Sequence, residues 1–349
     1  MEFDFAEEQP KFLMLMYGLI AFVAVVGGLL LLLDAVPAWF ARRREAKLVA
    51  AATSGAPLPR RRKPREGLFA LFFLLPTLLF LLVGLVVPAI RTTLLSFMDS
   101  GSNNWVGLRN YGWMFSDGAI VQVLTNTLIW VLLVPLVATT FGLIYAVMVD
   151  RARLEALAKS LIFLPMAISF VGASIIWKFV YAYRGDGEKQ IGLLNQMVVS
   201  LGGEPKQWLL ESPLNTFLLI VIMVWIQAGF AMVVLSAAIK AIPADIVEAA
   251  RLDGVSPWQM FWQITLPSIR PALIVVVVTL SIATLKVFDI VRTATNGNYD
   301  TSVIANEMYN QAFRYGQNGQ GSALAVFLFV LVIPIVIYQI RNLRQQREG

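Results

Sequence analysis

Long apolar segments are the feature of this sequence that most restricts its fold. Seven of them could cross roughly 30 Å of hydrocarbon as helices, and they lie at about residues 12–33, 68–90, 123–149, 160–182, 214–237, 272–290 and 322–340. With 58% hydrophobic and 14% charged side chains, the chain is too apolar for a soluble globular protein. The sequence therefore predicts an all-α, polytopic membrane protein with about seven transmembrane helices.

Lys and Arg residues predict how these helices are oriented. Eighteen of them lie in the segments 34–67, 150–159, 238–271 and 341–349, and only eight in the loops on the opposite side. Positively charged loops remain in the cytosol, so we expect the N-terminus outside and the C-terminus inside. Membrane orientation and contact with lipid then account for the net charge of +6, and no nucleic-acid partner is expected.

The apolar segments and charges divide the chain into four parts. Residues 1–33 are interpreted as an N-terminal transmembrane anchor, with a cleaved signal peptide as the alternative. Residues 34–67 are interpreted as a basic cytosolic linker that touches anionic headgroups, with a specific partner site as the alternative. The core spans 68–341 and includes a cytosolic loop at 238–271, and a cytosolic tail follows at 342–349.

Missing residue types exclude most enzyme classes. The chain contains no Cys and no His, which rules out disulfides, thiol nucleophiles, Cys/His metal sites and histidine acid–base catalysis. It also lacks a phosphate-binding Gly-x-x-x-x-Gly-Lys-Ser/Thr loop, so it is not expected to bind ATP. No Asp or Glu lies near the middle of a span, which argues against an ion-coupled secondary transporter.

The loop at 238–271 predicts two short helices. Pro243 suits a first helical turn, Asp245 and Glu248 are favourable near a helix N-terminus, and Gly254 can end a helix in the left-handed conformation. We therefore expect the first helix at about 243–253.

A second helix is expected to begin immediately afterwards. Ser256 is suited to cap it, with Pro257 at its first position and Gln259 completing a capping box. Its aromatic residues predict a position at the lipid headgroups, namely Trp258, Phe261 and Trp262.

The loop also resembles a known family. Its spacing matches the EAA loop of ABC importer permeases at Glu248-Ala249-Ala250, Gly254, Ile264 and Leu266-Pro267. The resemblance implies a type I importer bundle whose EAA helix, with Asp253 near its end, couples to a separate ATPase subunit. Glu248 would meet an arginine of that ATPase, and an internal pair with Arg251 is the alternative.

The likeness extends over about 68–345 and points to the carbohydrate (MalF-type) branch, most closely to alpha-glucoside permeases of the AglF type. It is carried by stretches that include Asn104–Tyr111, Asn126-Thr127, Leu285–Asp289 and 295–298. Unlike the maltose permease, this chain has no large inserted periplasmic domain.

That resemblance implies a transport subunit of a bacterial inner-membrane importer, not an enzyme. The implied partners are a second, MalG-like permease, two copies of an ATPase that hold ATP and magnesium, and an extracytoplasmic sugar-binding protein. No cofactor or metal is expected on this chain. The cargo would be an alpha-glucoside or other oligosaccharide; a non-sugar solute, or less readily ion-coupled transport, is the alternative.

Polar residues at depth are the candidates for the substrate path. Gln227 lies roughly 18 Å into its span and Thr279 roughly 12 Å, at about 1.5 Å per residue. Helix packing explains their polarity equally well. Lys286 is interpreted first as pairing with Asp289 near the outer surface, and otherwise as part of the path. The remaining candidates share faces with these residues and are Met223, Phe230 and Ala283.

Overall fold

The computed structural model describes residues 66–150, 153–185 and 187–348, together with scattered helical residues between 13 and 46. The predicted anchor at 1–33 and linker at 34–67 therefore lie mostly outside the described residues. The chain divides into two units, Met1–Leu79 and Phe80–Gly349. The sites discussed below all lie in the second unit.

The described residues are helices joined by loops, so the all-α prediction is confirmed. Several helices are extended by a π-helical or 3-10 turn, and each such turn is numbered together with its helix. In chain order the helices are α1 (Glu66–Leu81, Leu82–Val86 and Val87–Leu95), α2 (Arg109–Ser116), α3 (Gly118–Val149), α4 (Glu155–Phe163 and Leu164–Ala167), α5 (Phe170–Val180), α6 (Leu193–Ser200), α7 (Leu214–Lys240), α8 (Ala244–Leu252), α9 (Pro257–Gln259, Met260–Thr265 and Leu266–Ser268), α10 (Arg270–Leu285), α11 (Asp289–Ala294), α12 (Ile304–Tyr309 and Asn310–Arg314) and α13 (Asn318–Glu348).

The number of membrane spans is close to the predicted number, but two of the spans are bent. Among the described residues, four helices are long and apolar enough to cross a bilayer alone, within α1, α3, α7 and α13. Two bent pairs, α4 with α5 and α9 with α10, raise the total to six if each makes one crossing. The seventh predicted span, 12–33, lies mostly outside the described part of the chain.

The predicted span at 160–182 is sharply bent. Two helices, Glu155–Ala167 and Phe170–Val180, form it and meet at an angle of 101°. Pro165 lies in a 3-10 turn just before the break, and the Ser169 hydroxyl then caps α5 by accepting from the Gly172 N–H at 3.1 Å. Proline and a strong N-cap together explain why the chain restarts here.

The predicted span at 272–290 also ends earlier than expected. Helix α10 stops at Leu285, and α11 begins only at Asp289. The last turn tightens, because Lys286 and Val287 donate to the carbonyls of Ala283 and Thr284 at 3.3 and 3.0 Å. Sixteen residues of α10 span about 24 Å at 1.5 Å per residue, and the break follows before α11 begins.

Helix α7 forms the centre of the bundle. In its most apolar stretch 67% of the residues are buried, against none in the corresponding stretch of α1. Close packing against α3 depends on Gly142, where an added Cβ would lie 2.8 Å from the Met232 backbone nitrogen. Gly229 similarly faces α4, because a Cβ added there would lie 2.9 Å from the Phe163 Cα. Small residues let membrane helices approach at backbone distance.

Candidate functional site

Helix α8 forms where the sequence predicts it, with slightly shorter bounds. It covers Ala244–Leu252, and Pro243 is the residue before the helix, with φ −55° and ψ 133°, instead of lying in its first turn. Gly254 has φ +76°, as predicted from its left-handed role. The N–H groups of Gly254 and Val255 donate to the carbonyls of Arg251 and Ala250, both at 3.1 Å. This pattern is a Schellman motif, which closes the C-terminus of α8.

Helix α9 starts at the predicted capping box. The Ser256 hydroxyl accepts from the Gln259 N–H at 3.3 Å, and the Gln259 side chain accepts from the Ser256 N–H at 3.0 Å. The helix continues through a π-helical turn and meets α10 at 67°. Its aromatic rings contact one another, with Trp262 centred 5.6 Å from Trp258 and 5.2 Å from Phe261.

The predicted coupling residues are mostly exposed on α8 and the turn that follows it. Glu248, Ala249 and Asp253 are exposed, whereas Ala250 is only 7% exposed because it faces inward. No ion pair joins Glu248 to Arg251 within the part of the chain that is described. The Glu248 carboxylate therefore remains available for a cation on another molecule.

Exposed apolar side chains accompany this carboxylate. Leu252 is 89% exposed and Ile246 is 47% exposed. The other predicted coupling residues are in α9, where Ile264 and Leu266 are half-buried and Pro267 is exposed. Helix α8 thus presents one carboxylate among small and apolar side chains, a surface suited to a protein partner.

An apolar groove lies beneath the aromatic helix. Its volume is about 810 Å³, and it runs between the end of α3, the end of α7 and α9. Its walls include Leu143, Ile144, Met148, Ile239 and Phe261. Helix α9 therefore lies along the side of the bundle. The indole rings of α9 are suited to the boundary between hydrocarbon and headgroups.

The candidate path residues separate into two groups. Met223, Ala283 and Lys286 line one small cavity of about 50 Å³ together with Phe170 and Asp289. Met223 is buried, Ala283 is half-buried and Lys286 is exposed.

Gln227, Phe230 and Thr279 do not line this cavity. Gln227 is 9% exposed, and no hydrogen bond to its side-chain amide occurs among the described residues. Phe230 is half-buried and Thr279 is exposed. The amide of Gln227 lies on α7 and the hydroxyl of Thr279 lies on α10, the two helices on either side of the coupling loop.

The predicted pairing of Lys286 with Asp289 was wrong. No ion pair joins them in the described chain, although both line the same cavity. A continuous helix would bring residues three apart together, but α10 ends at Leu285 before α11 starts at Asp289.

A second polar cluster, at the opposite end of α3 and α7 from the coupling loop, holds the loop between α11 and α12. The Asn126 side chain donates to the carbonyls of Asp300 and Ser302 at 2.5 and 2.9 Å, and Thr127 accepts from the Ile304 N–H at 3.0 Å. Asn215 of α7 donates to the Tyr299 carbonyl at 2.7 Å. The sequence indicated Asn126-Thr127 only through a resemblance, although two buried polar residues in an apolar helix were a usable signal.

The helical bundle and the exposed loop helix define a class of protein. A helical bundle with broken membrane spans, which carries an exposed loop helix with Glu248-Ala249, fits the membrane component of an ATP-driven importer. Such a component performs transport and no chemical reaction. The chain belongs to the family described as the binding-protein-dependent transport system inner membrane component, whose model matches residues 138–348. It is therefore an ABC importer permease.

Two relatives are similar over most of the chain. The osmoprotective compounds uptake permease protein GgtC of Synechocystis sp. is 52% identical over 276 residues, which cover 79% of this chain and 99% of that protein. The alpha-glucoside transport system permease protein AglF of Rhizobium meliloti is 49% identical over 278 residues, which cover 79% of this chain and 83% of that protein. The predicted membership of the ABC importer permeases is confirmed.

Solved structures agree with the fold. A bacterial ABC transporter involved in the import of the acidic polysaccharide alginate includes a chain that matches 80% of this one with a TM-score of 0.70, at 24% sequence identity. The match covers 96% of that chain. At this identity the likeness concerns the arrangement of helices alone.

Proposed function

We propose that this permease imports an alpha-glucoside or another oligosaccharide, driven by a separate ATPase that docks on α8. The observation that carries the coupling is the exposed Glu248-Ala249 surface, which has no partner within the described chain. The sugar is supported by the similarity to an alpha-glucoside permease and by the polar groups of Gln227 and Thr279 in apolar helices.

The proposed assembly contains one copy of this chain. It pairs with a second, MalG-like permease, because one coupling helix serves one ATPase subunit and two ATPase subunits close together. An extracytoplasmic binding protein delivers the sugar, and ATP and magnesium are held by the ATPases. We place the N-terminus outside and the C-terminus in the cytosol, on the distribution of Lys and Arg.

The mechanism we propose is alternating access of the bundle. Closure of the ATPases on ATP moves both coupling helices, and each bundle tilts from an inward-open to an outward-open state. In this chain α8 adjoins α7 through residues 241–243 and α9 through residues 253–256. A displacement of α8 therefore acts on both helices that carry the path candidates, since α9 leads directly into α10.

ATP hydrolysis by the reconstituted complex identifies the cargo. This chain, its partner permease, the ATPase and the binding protein are placed in proteoliposomes, and maltose, trehalose and sucrose are added one at a time. The proposal predicts that at least one of them stimulates hydrolysis and accumulates inside the vesicles. Stimulation by none of them, in a complex that another solute stimulates, would contradict the sugar assignment.

An osmoprotectant that is not a sugar is the second candidate cargo. The supporting observation is the 52% identity to a permease for osmoprotective compounds, which is similar to the identity with the alpha-glucoside permease. The same proteoliposomes decide between the two when a zwitterionic osmoprotectant such as glycine betaine is added. Stimulation by betaine without stimulation by the disaccharides would favour this second candidate.

A further inference from the structure

Charged and polar side chains from three helix ends meet directly before the coupling loop. Asp150 follows α3, Glu155 and Lys159 lie on α4, and Ser236 and Lys240 lie in the last turns of α7. We call these five residues the cytosolic cluster. Helix α8 begins just beyond the short segment that follows Lys240.

Bonds within the cytosolic cluster cross from helix to helix. The Asp150 carboxylate pairs with the Lys159 ammonium at 2.6 Å and accepts from the Ser236 hydroxyl at 2.7 Å. Lys159 also pairs with Glu155 at 2.8 Å and bonds the Ser236 hydroxyl. Glu155 in turn pairs with Lys240 at the end of α7. The ends of α3, α4 and α7 are thereby fastened together.

Helix stability alone does not account for this arrangement. Asp150 lies at the carboxyl end of α3, where the helix dipole disfavours a negative charge. Its side chain is only 12% exposed, and that of Lys159 is 22% exposed, so both charges are largely removed from water. Ser236 is 2% exposed. The partners on other helices are what stabilise Asp150 in this place.

We propose that the cytosolic cluster is the joint that transmits displacement of α8 from α7 to α3 and α4. The inference rests on the proposed docking of the ATPase on α8. A force on α8 reaches the end of α7 first, through residues 241–243. With the cluster intact, the ends of α7, α3 and α4 move together; without it, the end of α7 slips and ATP is hydrolysed without transport.

Two carboxylate-to-amide variants test the joint in the complete transporter. Asp150→Asn and Glu155→Gln are each reconstituted with the partner permease, ATPase and binding protein, and import and hydrolysis are measured in the same vesicles. We expect hydrolysis to continue while import per ATP falls about fivefold or more. Glu188→Gln is the matched control, because its pair with Arg184 lies in the loop after α5. An unchanged ratio in both cluster variants would overturn the proposal.

A covalent bridge distinguishes a joint from a merely structural contact. The chain has no Cys, so Glu155→Cys with Lys240→Cys introduces a unique pair, assembled with cysteine-free partners. Import per ATP should be low in the reduced protein, rise when a short bifunctional thiosulfonate links the pair, and fall again with reductant. Each comparison uses one sample, so lower yield of folded protein does not affect it. A link that forms without restoring the ratio, or fails to form, would contradict the joint.

Glu248→Ala in the same assay separates this inference from the proposed function. If Glu248→Ala lowers import per ATP and Asp150→Asn does not, only the joint is wrong. If Glu248→Ala also leaves the ratio unchanged, docking on α8 is wrong and the joint fails with it.

Discussion

At the scale of single residues, the proposed coupling depends on Glu248. Its carboxylate is exposed on α8 and has no salt-bridge partner in the described chain. An ion pair with Arg251 would have engaged this carboxylate in stabilising α8 itself. The absence of that pair is what favours an acceptor role toward the ATPase.

Glu248→Ala should therefore uncouple the transporter. A hydrogen bond to a charged group contributes about 1.5–3 kcal/mol, so docking of the ATPase should weaken roughly tenfold or more. The chain itself should insert and fold normally, because Glu248 makes no contact that holds the bundle. Co-purification of the ATPase and import by proteoliposomes measure both effects. Arg251→Ala is the control on the same helix, and equal losses in the two variants would argue against a specific role for Glu248.

Gly254 is the second residue on which the loop depends. Its φ of +76° costs a residue with a Cβ about 1–2 kcal/mol, so Gly254→Ala should loosen the end of α8. We expect faster amide hydrogen exchange at residues 249–255 and slower import. Gly185→Ala is the matched control, since an added Cβ there meets nothing within 4 Å and its φ is not positive. Unchanged exchange in Gly254→Ala would show that the Schellman motif does not hold α8.

At the scale of helices, contact between α3 and α7 holds the bundle together. Its side chains include Trp130 and Met232, both fully buried, and at Gly142 there is no room for a Cβ against α7. A helix pair packed at backbone distance tolerates little added volume.

Gly142→Leu should thus destabilise the whole permease. Overpacking a filled interior costs about 1–3 kcal/mol, and here the obstacle is the Met232 backbone at 2.8 Å instead of a movable side chain. The thermal midpoint of the detergent-solubilised protein should fall. Gly84→Leu lies in exposed helix α1 with open space around it and should have little effect. A similar midpoint for the two variants would contradict the packing argument.

Asn126 provides a test of the loop between α11 and α12. Asn126→Ala removes the two hydrogen bonds that its side chain donates to this loop and leaves the carbonyls of Asp300 and Ser302 without that donor, at about 1–3 kcal/mol for an unsatisfied buried group. Proteolysis or hydrogen exchange at residues 296–304 should increase. Thr125→Ala is the control, because the exposed Thr125 hydroxyl bonds only its own helix at Val121.

Local signals made the coupling loop predictable. The capping box at Ser256 and the left-handed Gly254 are features of neighbouring residues; α8 forms within one residue of its expected bounds, and α9 begins where predicted. The inward side of Ala250 was not predicted, because burial depends on how α8 packs against α9.

Long-range contacts were not predictable in the same way. The cytosolic cluster joins Asp150 to Ser236 across 86 residues of sequence, and no spacing pattern indicates such a meeting. The break after Leu285 was not predicted either. Apolar residues continue beyond it, so hydropathy predicted a longer helix, whereas α10 ends at Leu285.

At the scale of the whole molecule, the chain is one permease of a larger importer. Its core is buried around α7, while no residue in the most apolar stretch of α1 is buried, as expected for a subunit surrounded by lipid and by other subunits. We place the ATPase at α8 and the binding protein at the opposite face. The position of the ATPase can be tested by proximity alone.

Site-specific cross-linking tests this central claim most directly. Because the chain contains no Cys, Ala249→Cys and Lys189→Cys each place one thiol in an exposed position, on α8 and on the loop after α5. A photoreactive group is attached to that thiol and activated in the assembled transporter, and we predict that Ala249→Cys captures the ATPase subunit and Lys189→Cys does not. Capture of the ATPase from Lys189→Cys, with none from Ala249→Cys, would contradict the account.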